Sequence, residues 1–333
     1  MWKRRPDRDL IGGWIERALE LSEPDTPARA RALIARTLLD PVRFGDSARE
    51  ASDLADRLGN IELRSWAWDA RSRAARALGD YEEAFAWFQR RFDLVPSLTD
   101  PDHIALLYLF GLDECIATGR FDEARRVAEL HDEVTRSLTP HHRLHAVALL
   151  ISVEEAAGRW ETVRDLTARA EPAVAANVAT PCALNVWSLL ACALAHVHLG
   201  DKREALHLEQ SGANLGMEGY GYAFDPLHVE IAIARGDLPE VERKLREWSP
   251  QGFRDVEGLV ARLNALVALE RGPEIEEEAP ALLRAETYLE PFALRALGFA
   301  RGDDGPIEQA IKRFEAMGLD WHAVETRKLL ART

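Results

Sequence analysis

The chain has 333 residues, with 56 acidic against 42 basic side chains, a formal net charge of −14 and 47% hydrophobic content. That acidic excess argues against a duplex nucleic-acid binder, which needs a basic face for phosphates; the clusters Lys3-Arg4-Arg5 and Arg71/Arg73/Arg76 each sit among acids. The cysteines Cys115, Cys182 and Cys192 are odd in number, fall in apolar stretches and show neither metal spacing nor a disulfide framework. They read as buried thiols in a reducing, cytoplasmic compartment.

The basic start at residues 1–6 runs into Asp7-Arg8-Asp9 and not into an apolar stretch, so it is not a secretory signal. Residues 8–21 predict an amphipathic helix with Leu10, Ile11, Trp14, Ile15, Ala18 and Leu19 on one side, followed by a loop at 22–26. Helices near 27–39 and 46–58 form a first pair, and those near 61–78 and 81–94 a second. The pattern continues to 317, and a last helix at 320–332 is expected to cap the open end of the stack. No period-two strand with a hairpin turn is present. The stretch between Glu171 and Asp201 carries no charged side chain, but Pro181, Asn177, Asn185, His196 and His198 interrupt it. It reads as a buried helix and not as a membrane span.

Two kinds of punctuation recur along the chain. Glycine corners, often followed by an acidic or basic residue, stand at Gly45, Gly79, Gly119, Gly158, Gly200, Gly236, Gly272 and Gly302, a period of roughly 30 to 42 residues. Thr or an acid directly before proline recurs at Pro27, Pro101, Pro140, Pro181, Pro226 and Pro291. Glycine stops helices through the left-handed conformation, whereas Thr or Asp before Pro opens them. The expectation is an all-α chain, a right-handed α-solenoid of about eight helix pairs forming one superhelical domain over 1–333. Within it, 1–26 supplies an N-terminal helix and loop, 27–317 the repeats and 318–333 the C-terminal cap.

These residues resemble the tetratricopeptide repeat. Aligned on Gly79, Trp68 takes the early large position, and Ser72 and Ala84 take the small positions where two helices touch. Aligned on Gly119, the large residue is Tyr108 and the second small one Ala124; on Gly200, the small pair is Ala193 and Ala205. Gly219-Tyr220-Gly221 through Trp248, with the ending near Gly318-Leu319-Asp320-Trp321, is similar to the C-terminal repeat region of bacterial adenylate/guanylate cyclases and of LuxR-type ATP-binding transcriptional regulators. The resemblance implies a region that senses or docks while another module gives the output.

Alignment on the turn glycines places Trp66, Asp69, Arg73, Asp113, His145, Trp187, Tyr222 and Glu230 on a concave groove. His198 should face that groove and His196 the core, with Trp68 and Trp160 as structural positions. His141 and His145 lie one turn apart and share a face, as metal ligands can. No HExxH motif is present, and no Asp, Glu or Cys within a turn completes the set. A polar first turn after Thr139-Pro140 accounts for them, and no metal is assigned. Gly212, Gly216, Gly219 and Gly221, around Tyr220, Tyr222 and Phe224, read as an inter-repeat loop and not as a phosphate cradle. No catalytic set and no cofactor motif stand out. The first functional reading is a non-catalytic scaffold that takes a protein or peptide partner in the groove. The alternative is a sensor that binds a small molecule there. A metal-dependent enzyme is the remote third. No direct nucleic-acid or membrane partner is expected.

Overall fold

Helices begin where a side chain can satisfy their orphan N–H groups. Thr26 Oγ1 accepts from the Arg29 amide, Asn60 Oδ1 from that of Leu63, and Asp80, Asp201 and Asp237 each cap the helix that follows. They end at glycine: Gly79, Gly119, Gly158, Gly200, Gly236 and Gly302 all have φ between 60° and 82°. The computed structural model describes residues 7–248 and 256–330; the basic start at 1–6 and the last residues of the expected terminal helix lie outside the described residues. Among the described residues there are 18 α-helices and no strand. No helix there is long and apolar enough to cross a membrane.

Two compact units divide the chain at Thr118 and Gly119. The N-terminal unit holds α1 (Arg8–Leu21), α2 (Pro27–Leu39), α3 (Gly45–Leu58), α4 (Ile61–Ala77), α5 (Tyr81–Phe92) and α6 (Pro101–Ala117). Each helix packs on its chain neighbour, and α2 also touches α4. Ala30, Leu33, Ala48, Ala51, Leu54, Leu63 and Ala67 form the core of α2–α4. Small residues let these helices approach closely. At Gly111 an added Cβ would lie 1.9 Å from Phe88 Cε2, so α5 and α6 can pack at this distance only without a side chain there.

The C-terminal unit holds α7 (Phe121–Thr135), α8 (Pro140–Ala156), α9 (Trp160–Ala176), α10 (Ala183–His198), α11 (Lys202–Ala213), α12 (Gly221–Arg235) and α13 (Leu238–Glu247). It continues with α14 (Val256–Ala268), α15 (Gly272–Glu278), α16 (Leu289–Arg301), α17 (Asp304–Ala316) and α18 (Asp320–Leu330). Adjacent helices pair, and a second row of contacts runs α8–α10–α12–α14–α16. Leu144, Val163, Trp187, Leu190, Leu194, Leu208 and Leu227 bury its first half, each worth roughly 1.5–3 kcal/mol relative to exposure.

Prolines mark helix starts less uniformly than expected. Pro27, Pro101 and Pro140 occupy first helical positions, but α10 begins after Cys182, and Pro226 and Pro291 lie inside α12 and α16. Pro291 falls in the first turn, where its missing N–H costs nothing. Pro226 lies deeper in α12 and is buried. The seventh corner is not glycine at the bend: Glu270 takes φ 55°, and Gly272 opens α15.

Candidate functional site

Within the C-terminal unit the chain returns to its own beginning. The carbonyl of Ala156, in the last turn of α8, has no partner within its helix. Tyr288 donates its hydroxyl to it at 2.8 Å, and His322 of α18 donates from Nε2 at 3.0 Å. The ring of Tyr288 also packs on Phe121, at 5.7 Å between centroids. Trp321 meets Trp160 edge-on at 5.0 Å and His198 at 4.9 Å, while His198 stacks on Trp160 at 4.2 Å. Gly158 makes this approach possible. Its φ is 69°, and a Cβ there would lie 2.9 Å from the Trp321 ring. The last helix, expected to cap an open end, therefore packs against α8, α9 and α10.

The fold back leaves a cavity of about 550 Å³ walled by α8, α9, α10, α12, α14, α16 and α18. Its apolar wall includes Leu194, Leu227, Val260 and Ala261, and its aromatic corner is Trp160, His198 and Trp321. Its polar wall is acidic: Glu155, Glu230 and Glu257 face the space together with Asn264, Tyr288 and Arg295. At the edge, Glu325 pairs with Lys328 one turn on. Asn264 links the inner groups: its Nδ2 donates to Glu230 at 2.6 Å, and its Oδ1 accepts from Arg295. The Arg295 guanidinium also lies over the rings of Phe292 and Phe314.

This setting favours uncharged forms. Burial, opposed by Asn264 and Arg295, pushes the Glu230 carboxyl up to about 7. Burial and then the neighbouring Glu257 and Glu230 hold Glu155 well above the usual carboxylate range. Burial and the same acids raise the Tyr288 hydroxyl. Burial brings His198 down to about 4 and His322 to about 3, so both imidazoles are neutral at pH 7.

Of the sequence-derived groove candidates, Glu230 lines the cavity. Trp187 is 7% exposed in the core and Tyr222 is packed against that core, while His145 lies near Cys182 on the far end of α8. The other four belong to the N-terminal unit. Trp66 stacks on His103 at 4.7 Å. Asp69 is buried and binds Arg91 at 2.6 Å and Arg73 at 3.0 Å; Arg73 also covers Phe110, and Asp113 pairs with Arg76 at 3.2 Å. Burial raises the Asp69 carboxyl, but Arg73 and Arg91 outweigh it and hold it below its ordinary value. These charges answer one another inside the unit. The sequence reading passed over Glu155, Asn264 and Arg295, and noted Trp321 only as one of several tryptophans and in the ending motif. Glu155, Asn264 and Arg295 are polar residues of α8, α14 and α16 that become a set only once the helices are placed.

Against known proteins, no family model matches the chain and no curated protein matches it.

Proposed function

We propose that the C-terminal unit is a non-catalytic sensor module that holds a small organic cation, an amine with an apolar body, in its cavity. The observation that carries this is the cavity wall, where Glu155 and Glu230 face an interior space of about 550 Å³, a volume suited to a small ligand. Arg295 offsets part of the Glu230 charge, whereas the charged neighbours of Glu155 are the acids Glu257 and Glu230, so the wall as a whole is short of positive charge. An ammonium group supplies it, and the aromatic corner of Trp160, His198 and Trp321 suits the apolar portion. In this reading the helix pairs are tetratricopeptide-like repeats that form a curved stack. Sensing is one of the two roles, beside docking, implied by the resemblance to bacterial regulators.

A second reading, a protein-binding scaffold, rests on α1. Leu10, Trp14 and Leu21 share one face of that helix, and all are more than half exposed. Thermal-shift measurement with matched sets of organic amines and organic acids tests the first reading. Amines should raise the melting temperature, as mass action requires, and the rise should vanish in Glu155→Gln/Glu230→Gln. A flat response to both sets, or a shift unchanged in the double variant, overturns it.

A further inference from the structure

A second site lies at the opposite end of α8. His141 and His145 occupy the first turns of that helix, and Cys182 is the residue before α10. One ligand atom from each lies within 4.8 Å of the other two. Cys182 Sγ is 3.4 Å from His145 Nε2, and the two imidazole rings are 4.2 Å apart. The sequence supplies the histidine pair, and the fold brings the missing sulfur from 37 residues downstream.

The surroundings suit coordination. The Thr180 carbonyl lies 3.1 Å from His141 Nδ1; in the tautomer that donates to it, Nε2 is the basic nitrogen. Metal-bound histidines characteristically give their other N–H to a carbonyl in this way. Cys182 Sγ accepts backbone N–H groups of Leu184 and Asn185 at the start of α10, where the helix dipole also favours an anion. Asn185 fixes the cysteine backbone by accepting its N–H at 2.9 Å, and Asn177 in turn donates to Asn185 at 3.0 Å.

We propose that His141, His145 and Cys182 bind a zinc ion. Two imidazoles and one thiolate form a borderline-soft set that matches zinc, with the fourth tetrahedral position left to an exogenous ligand. Binding releases the thiol proton to solvent as the sulfur–metal bond forms. The ion pins the start of α8 to the start of α10, the two helices whose far ends carry Glu155 and His198 into the cavity. The site is independent of any cavity ligand.

The test titrates the chelator-treated full-length chain with Co²⁺ and then Zn²⁺. One equivalent of Co²⁺ should produce a thiolate-to-cobalt charge-transfer band, and Zn²⁺ should abolish it. Cys182→Ser should lose the band, whereas Cys192→Ser should keep it. His141→Gln should weaken binding by more than about 100-fold, since outer partners alone are worth about 10–100-fold. Circular dichroism follows the fold of each variant. His141 is only half-buried, so its variant reports on the ion even if Cys182→Ser fails to fold. Three outcomes overturn the proposal: no thiolate band, a band that survives Cys182→Ser, or His141→Gln binding as tightly as the parent. Cobalt bound without a thiolate band would mark the half-exposed Glu171, Glu204 and His207 group instead, and also refutes it.

Discussion

Replacing Glu230 by Gln separates charge from shape in the cavity. Gln keeps the oxygen that accepts from Asn264 and removes only the ionisation. The Glu230 carboxyl stands at about 7 in the folded chain against an ordinary value of 4.5. A raised folded value contributes stability that is fully present below the unfolded value and is lost as pH rises through the folded one. At about 1.4 kcal/mol per unit, the native state above pH 7 therefore carries a cost of about 3 kcal/mol, less whatever cavity water screens. Glu230→Gln should melt close to the parent at about pH 4.5. By about pH 8.5 it should be more stable by about 3 kcal/mol, or about 6–12 °C for a unit of this size. His198 and His322 act in the opposite direction. Their depressed values cost stability as pH falls below the unfolded histidine value of 6.5, and taking the difference between variant and parent removes that shared term. Paired melts across this pH range, without added ligand, supply the measurement. Parallel curves for the two proteins would refute the reasoning, because they would mean that Glu230 is ionised at no cost and that the cavity exerts no pull on a counter-ion.

Gly158→Ala should destabilise the C-terminal unit by about 2 kcal/mol, from left-handed strain of about 1–2 kcal/mol plus the clash with Trp321. Urea unfolding followed by tryptophan fluorescence measures it, and an unchanged midpoint would show that Trp321 does not seat there. Asp69→Ala should cost about 3–5 kcal/mol, because it leaves Arg91 buried without its counter-charge. In the parent the Asp69 contribution is present above the unfolded carboxylate value and is lost as pH falls through the lower folded value. Acid unfolding of the two proteins should therefore converge at low pH.

Local structure was written plainly in the sequence. The helix expected at 27–39 is α2, because Thr26-Pro27 at one end and the apolar spacing through it are local signals. Pro181 and Pro226 misled because a proline is also accepted in a loop or inside a buried helix, and its neighbours in space decide which. The site was harder to read. Glu230 and His198 could be placed on the inner side by counting from a turn glycine. Glu155, Arg295 and Trp321 could not, since what makes them a set is the return of α16 and α18 to α8. The same limit hid Cys182 from His141 and His145. Trp160 was read as a structural position and is buried at 5% exposure, yet it also forms a wall of the cavity. A core residue beside a void belongs to both descriptions.

The clasp on the Ala156 carbonyl joins residues 132 and 166 positions apart. During synthesis, the first half of this unit leaves the ribosome long before Tyr288 and His322 exist. The growing chain can pair its early helices from local contacts, but it must carry an unanswered carbonyl and an unroofed acidic wall until the last helix arrives. The cavity is thus completed late and all at once. A chain cut short by only its final helix would keep most of its helical content while losing the chamber.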